Sequence, residues 1–289
     1  MKYNISHILE FLEEWAPQST KLEYDNVGLL VGDKNKHVGK VLTCLDVIPD
    51  VVDEAVSENA DLIVAHHPLI FRKLSRITPD DTTGSLIYRL IKHDIGLIAA
   101  HTNLDAAYGG VSFVMAERLG LSNVRFLKEE VFDANGNHLP ERPAAGQGSG
   151  PSVTGDMATS QRIGFGAIGE LPEELQISEF LSHTGKCLAS DGIRYSGHAD
   201  KIKTVAVCGG AGSFLMPEAI SRQVDAFVTA DLKYHDFFVE TPSFLLVDVG
   251  HYESEVPIVG TLCDRLTGRF PGLNVLPTSV NTNPVTYFQ

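Results

Sequence analysis

Cysteine is scarce in this chain. The four residues, Cys44, Cys187, Cys208 and Cys263, lie far apart among 289 positions and form no Cys-x-x-Cys pair. Such spacing argues against a disulfide framework or a zinc knuckle and fits reduced thiols in cytosol. Long apolar runs are missing as well. None reaches the roughly 18 residues of a membrane span, and the opening Met1-Lys-Tyr-Asn-Ile-Ser6 lacks the apolar core of a signal peptide. The expectation is a cytoplasmic protein that does not enter the membrane. Positive charge is short too: 23 Lys and Arg stand against 37 Asp and Glu, a formal net charge of -14. That balance disfavours nonspecific nucleic-acid binding, which relies on clustered cations. With 43% hydrophobic residues, the chain reads as an ordinary globular protein of one large or two average domains.

The apolar pattern supplies the fold class. Ile5, Ile8, Leu9, Leu12 and Trp15 follow helical spacing up to Pro17. Tyr24-Asp-Asn-Val-Gly28-Leu-Leu-Val-Gly32 reads as a turn and a short strand. From residue 41 short apolar strands alternate with helices: strands at 41–47, 61–65 and 96–100, helices at 49–56, 85–93 and 111–119. The alternation resumes with strands at 204–208, 225–229 and 244–249 and helices at 216–223 and 256–266. This order predicts α/β architecture with mainly parallel sheets. Between the two runs, 134–161 is dominated by Gly, Pro, Ser and Ala, and is expected to be an exposed, flexible loop.

Three apolar runs end in histidine. They are Asp61-Leu-Ile-Val-Ala-His66-His67-Pro68, Gly96-Leu-Ile-Ala-Ala-His101-Thr-Asn-Leu-Asp105, and Phe244-Leu-Leu-Val-Asp-Val-Gly-His251-Tyr-Glu-Ser-Glu255. A lone histidine at a strand end is ordinarily a structural, hydrogen-bonded residue. Three such ends, two of them with the form His-x-x-x-acid, point instead to a shared site beyond the carboxyl ends of the strands. Imidazole and carboxylate suit divalent ions such as Zn, Fe, Mn or Co. Four His, one Asp and one Glu exceed one tetrahedral ion with an open position and suit two ions. Asp105 or Glu255 is the expected bridging carboxylate.

Other residues carry weaker signals. His235 follows another strand end and could donate a proton, line the pocket or cap a helix. His7, His37, His93, His183 and His198 read as surface residues, and His138 as a solvated loop residue. Gly209-Gly210-Ala-Gly212-Ser213 has the look of a phosphate-cradling turn but lacks a dinucleotide or P-loop spacing, so a tight turn explains it equally well.

The two α/β runs share internal spacing. Cys44 and Cys208 lie 164 positions apart, as do Asp61 and Asp225, while His101 and His251 lie 150 apart, as do Asp105 and Glu255. An internal duplication follows, with the second copy shortened by 14 residues between its halves. The expectation is two similar lobes, 1–125 and 126–289, which can exchange segments, with the metal site in the cleft between them.

Taken together, Asp25-Asn-Val-Gly-Leu-Leu-Val-Gly-Asp33, Ala65-His-His-Pro-Leu-Ile-Phe71, Ala100-His-Thr-Asn-Leu-Asp-Ala106, Cys208-Gly-Gly-Ala-Gly-Ser213, Thr229-Ala-Asp231 with His235, and Gly250-His-Tyr-Glu-Ser-Glu255 resemble the Nif-three-like, or dinuclear-metal-centre, family. Its members are often labelled GTP cyclohydrolase type-two homologues. The resemblance implies two α/β lobes, a ring-shaped homohexamer, and metal ligands at His66, His67, His101, Asp105, His251 and Glu255. It also implies that the inserted mid-chain domain of some relatives is absent here. The function expected is a metal-dependent hydrolase of a nucleotide-like or other small substrate. A non-catalytic metal-binding or regulatory scaffold is the alternative.

Overall fold

The structure, a computed structural model, describes residues 3–132, 138–139 and 161–288. The expected loop therefore falls largely outside the described residues, apart from 138–139 and 161. Within them the chain forms a mixed α/β fold built on two large sheets. Helix α1 (Ile5–Trp15) buries Ile5, Ile8 and Leu12, as its spacing predicts, and Asn4 caps it through the His7 amide. A short ribbon pairs β1 (Tyr3–Asn4) with β3 (His37–Val38).

The first sheet runs β14 (Asn274–Pro277), β4 (Lys40–Cys44), β5 (Leu62–Ala65), β6 (Gly96–Ala99), β2 (Gly28–Val31). All its pairings are parallel except β2 with β6. Strands β5 and β6 are buried along their whole length, as befits parallel strands covered on both faces. On one face, α2 (Pro49–Ser57) and α3 (Thr82–Lys92) supply Val51, Val52, Leu86, Ile87 and Leu90. On the other, α1 and α9 (Pro257–Arg269) pack with Val41, Leu62, Val64 and Ile98.

The second sheet departs from the expectation of mainly parallel strands. Its order is β10 (Arg194–His198), β13 (Phe244–Asp248), β12 (Ala226–Ala230), β11 (Ile202–Ala211), β9 (Gln161–Leu175), β7 (Ser122–Phe132), β8 (His138–Leu139). Only β11, β12 and β13 are mutually parallel. The flanking strands β10, β9, β7 and β8 all pair antiparallel. The long β7–β9 pair surrounds the Gly- and Pro-rich segment, whose composition hid both strands. Helix α6 (Ile177–Leu188) covers one face through Phe180 and Leu188, and α7 (Met216–Ser221) the other through Ala219. Helix α5 (Val111–Arg118) lies between the sheets, with Val111 and Val114 in one core and Met115 and Ala116 in the other.

The two sheets are interlocked in sequence. Helix α9 follows β13 of the second sheet yet packs on the first, where Thr43 Oγ1 donates to Val259 O at 3.1 Å. Strand β14 then completes the edge of the first sheet, while β7 belongs to the second.

A constant offset links the two parallel cores. Val41 pairs with Leu62 as Val205 pairs with Ala226, each shifted by 164. Asp61 Oδ2 accepts from the amides of Gly39 and Lys40, and Asp225 Oδ2 from those of Lys203 and Thr204, at the same offset. At the third strand the offset becomes 149, since Leu62 pairs with Gly96 and Ala226 with Leu245. One additional residue then precedes the second histidine. It is absorbed at Gly250, whose φ of 93° is open to glycine. No helix among the described residues is long and apolar enough to cross a membrane.

Beyond β14 the chain is tied to α2: Ser279 N and Oγ donate to Glu54 Oε1 at 2.8 and 2.6 Å, and Thr278 Oγ1 donates to Glu54 Oε2. Burial alone would raise the Glu54 pKa, but these bonds outweigh it and hold the carboxyl below its ordinary 4.5. A depressed carboxylate contributes stability that is complete above its unfolded value and is lost as pH falls through the folded one. Glu54→Ala is expected to cost about 1 kcal/mol at neutral pH, the worth of charged hydrogen bonds reduced for partial exposure. Urea denaturation at pH 7 and pH 4 checks this; the deficit shrinks at the lower pH.

Candidate metal centre

All six ligands expected from the sequence fall into one cluster. His66 and His67 follow β5. His101 precedes α4 (Thr102–Asp105), which Asp105 ends. His251 and Glu255 bound α8 (His251–Glu255), one helical turn that places both side chains on one face. Backbone pairing continues past β5, with His66 N bonded to Cys44 O and His67 N to Leu45 O. Even so, the two rings enter the same cluster, 5.0 Å between centroids. His101 lies 5.3 Å from each of them, and His251 lies 5.5 Å from His67. Exposure grades across the group: the His66 side chain is fully buried and that of His251 is 38% exposed. The His251 side is therefore the more open to solvent.

Each imidazole is fixed through Nδ1. His66 Nδ1 meets Ala100 O at 2.7 Å and His67 Nδ1 meets Asp46 Oδ1 at 2.7 Å. His101 Nδ1 meets Asp25 Oδ1 at 3.0 Å, and His251 Nδ1 meets Asp231 Oδ2 at 2.8 Å. Every one of these partners is an acceptor, so the proton belongs on Nδ1 and the Nε2 lone pair is left for the cluster. This is the outer arrangement that orients metal-binding histidines.

The Nε2 atoms converge on carboxylate oxygen. Glu255 Oε2 lies 2.9 Å from His67 Nε2, 3.0 Å from His251 Nε2 and 3.9 Å from His66 Nε2. Asp105 Oδ1 lies 3.6 Å from His66 Nε2. Yet His66 Nε2, Asp105 Oδ1 and Glu255 Oε2 are buried without an aligned hydrogen bond. Lone pair faces lone pair, which is costly unless positive charge sits among them. Three overlapping sets have ligand atoms within 4.8 Å of one another: His66, His67 and His101; His67, His251 and Glu255; His66, Asp105 and Glu255. The residues thus fit a divalent metal.

The electrostatics agree. Burial pushes the His66 imidazole down to about 3. Burial opposes protonation of His67 too, but the Asp46 and Glu255 carboxylates overcome it and raise its pKa to about 10. Glu255 and Asp231 likewise overcome burial at His251 and raise it to about 9. Burial and the Glu255 charge push Asp105 well above the usual carboxylate range. Burial would also raise Glu255, but His251 and His67 outweigh it and hold it low. The cluster is an excess of buried negative charge that attracts protons where no other cation balances it.

The sequence motifs gain specific roles. Asp25, from the Tyr24-Asp-Asn turn, accepts from Thr102 N and Thr102 Oγ1 at 3.0 and 2.5 Å while holding His101. Asn26 Nδ2 pins the loop beyond Pro68 through Ile70 O at 2.6 Å. The glycine turn after β11 is not a phosphate cradle. Gly209 N and Gly210 N take hydroxyl partners, Ser112 and Ser254. Gly210 has a φ of 61°, and a Cβ there would collide with Glu255 Oε1. Glycine suits this place because the backbone, at positive φ, passes against the Glu255 carboxylate. Asp46 and Asp231 were not legible as supports; Asp231 stands at the position equivalent to His67 at the offset of 164.

His235 is not brought into the cluster. It lies exposed in the turn Tyr234–Phe237, stacked on Phe238 at 6.0 Å. His37, His93 and His198 are exposed as expected. His183 is half-buried instead, bonded to Leu119 O at 2.9 Å at the end of α5. His138 pairs in β8 by its backbone.

The fold and the cluster define an α/β protein with a His/carboxylate centre able to hold divalent metal. The sequence matches the Duf34/NIF3 (NGG1p interacting factor 3) family over residues 3–284. The chain belongs to that family. A protein of Clostridium acetobutylicum named GTP cyclohydrolase 1 type 2 homolog is 30% identical over 290 residues, covering 99% of this chain and 98% of its own. One of the same name from Bacillus subtilis is 29% identical and aligns over 370 positions, so it carries segments without counterpart here. Among solved structures, the Staphylococcus aureus hypothetical protein SA1388 superposes with a TM-score of 0.82 at 28% identity, covering 99% of both chains. A Bacillus cereus protein related to NIF3 gives 0.81 at 28% identity, again over 99% of both.

Gly210→Ala is expected to displace Glu255 and weaken divalent-metal binding by about tenfold or more, the range seen when ligand orientation is disturbed. Competition with a chromophoric chelator measures it, and circular dichroism checks that the fold persists.

Proposed function

We propose that the protein is a dinuclear metal-dependent hydrolase acting on a nucleotide-like or other small substrate. The observation that carries this reading is the convergence of the His66, His67 and His251 Nε2 atoms on the Glu255 and Asp105 carboxylates, with His66 Nε2, Asp105 Oδ1 and Glu255 Oε2 buried and unpartnered. Glu255 belongs to two of the three ligand sets, which favours it as the bridge between two ions. Zn, Fe, Mn and Co all suit these donors. Two such ions would supply Lewis acidity and hydroxide near neutral pH.

The chain's own residues do the rest. Asp25, Asp46 and Asp231 orient the imidazoles. Phe71 packs edge-on toward His101 at 6.4 Å, and the exposed Tyr24 packs against Phe71 at 6.1 Å. Together they offer aromatic surface to a planar base at the rim. Arg72, Lys73 and Arg76, exposed on the same loop, suit an anionic substrate in a chain that is otherwise acidic. The relatives' name points to GTP, whose guanine imidazole ring would be the bond system opened. The constant offset between the two parallel cores supports an origin by internal duplication, with the centre in the cleft between the two lobes. A homohexamer in the cytoplasm is the assembly we assign by family.

Elemental analysis and anomalous scattering on untagged protein are expected to give two divalent ions per chain. Metal-loaded protein should turn over GTP or a member of a panel of phosphoesters and cyclic amides. Asp105→Ala and Glu255→Ala should each lower that turnover at least about a hundredfold. A metal-loaded protein inert to the whole panel would favour a regulatory scaffold instead.

A further inference from the structure

We propose that the C-terminal segment is part of the metal centre's support, with Thr282 as a positioning residue for His67. This rests on the reading of the cluster as a metal site. Thr282 is buried, 6% exposed. Its Oγ1 donates to Asp46 Oδ2 at 2.6 Å, and the other oxygen, Asp46 Oδ1, holds His67 Nδ1 at 2.7 Å. His67 Nε2 in turn lies 2.9 Å from Glu255 Oε2. A hydroxyl near the end of the chain is thus two hydrogen bonds from the ligand nitrogen.

The four imidazoles differ in how they are held. Asp25, which orients His101, is locked by Thr102, the very next residue. The backbone carbonyl of Ala100 orients His66. Asp231, which orients His251, is half exposed and has no further side-chain partner among the described residues. Asp46 alone is fixed from a distance: besides His67, Thr282 is its one hydrogen-bond partner among the described residues, 236 positions away in sequence.

The segment around Thr282 is tied both to α2 and to the α8 turn. Thr278 and Ser279 bond Glu54 on α2, beside the first sheet. Asn283 Nδ2 donates to the buried Glu253 Oε1 on α8 at 2.8 Å, within the turn that carries His251 and Glu255. The strap therefore reaches the support of His67 and the α8 turn, so it bears chiefly on the set His67, His251 and Glu255, although His67 is also grouped with His66 and His101. Its strongest effect is expected on the ion position that this set would form.

Thr282→Val keeps the side chain's shape and removes the hydroxyl, whereas Thr282→Ser keeps the hydroxyl. The full-length, chelator-stripped proteins are titrated with Zn2+ alone against a chromophoric chelator. The tautomer of His67 is read from its 15N resonances. In Thr282→Val, one of two Zn2+ sites is expected to weaken by about 10- to 100-fold, as for loss of an outer hydrogen bond to a ligand histidine. The other site weakens less, the metal-free Tm falls by no more than about a few degrees, and Thr282→Ser behaves as wild type. Wild-type affinity in Thr282→Val would overturn the proposal. So would equal weakening of both sites, or failure of Thr282→Ser to rescue. If wild-type protein binds no Zn2+, the metal reading itself fails. The positioning role then stands or falls on the His67 resonances, which change in Thr282→Val if it holds and stay put if it does not.

Discussion

The contact between an acceptor and Nδ1 of each histidine governs the rest of this structure. An imidazole has two nitrogens, and committing one to an outward partner determines what the other can do. With Ala100 O, Asp46, Asp25 and Asp231 on the outside, Nε2 of His66, His67 and His251 faces Glu255 or Asp105. Packing such atoms together without compensation would be costly. The surrounding fold holds most of these side chains in place with fully buried parallel strands and close-packed helix turns.

The interlocking of the two sheets follows from the same need. The clustered histidines and acids follow the ends of β5, β6 and β13, which belong to different sheets. Sharing α5 between two apolar cores and sending α9 and β14 back to the first sheet make the relative placement of those ends a property of the whole core rather than of a flexible joint.

Much of this was legible in the sequence, for reasons that can be stated residue by residue. Strands β4, β5, β6, β11, β12 and β13 are continuous apolar runs because they are covered on both faces, and their histidines stand where such strands end. The His-x-x-x-acid spacing is one helical turn. The antiparallel β7, β9 and β10 escaped because a half-exposed strand mixes polar and apolar residues and because a Gly- and Pro-rich segment interrupts the hairpin. The offset of 164 was readable, but the exchange of a shortening by 15 and an insertion at Gly250 looked like a single change of 14. The outer carboxylates Asp46 and Asp231 had no local signature, since their partners are remote in sequence. The glycine turn was ambiguous for a different reason. Its purpose, to let backbone approach Glu255, exists only in three dimensions.

The edge position of β14 has a temporal side. Its pairing with β4 joins residues 274–277 to 40–43, so the first sheet lacks this edge strand until residues 274–277 have left the ribosome. Contacts so remote in sequence close slowly, because a large loop must be ordered before they form. During synthesis, the early histidines at 66, 67 and 101 emerge well before Glu255. The order of emergence thus keeps the cluster incomplete until Glu255, the carboxylate that touches three of its imidazoles, has been made.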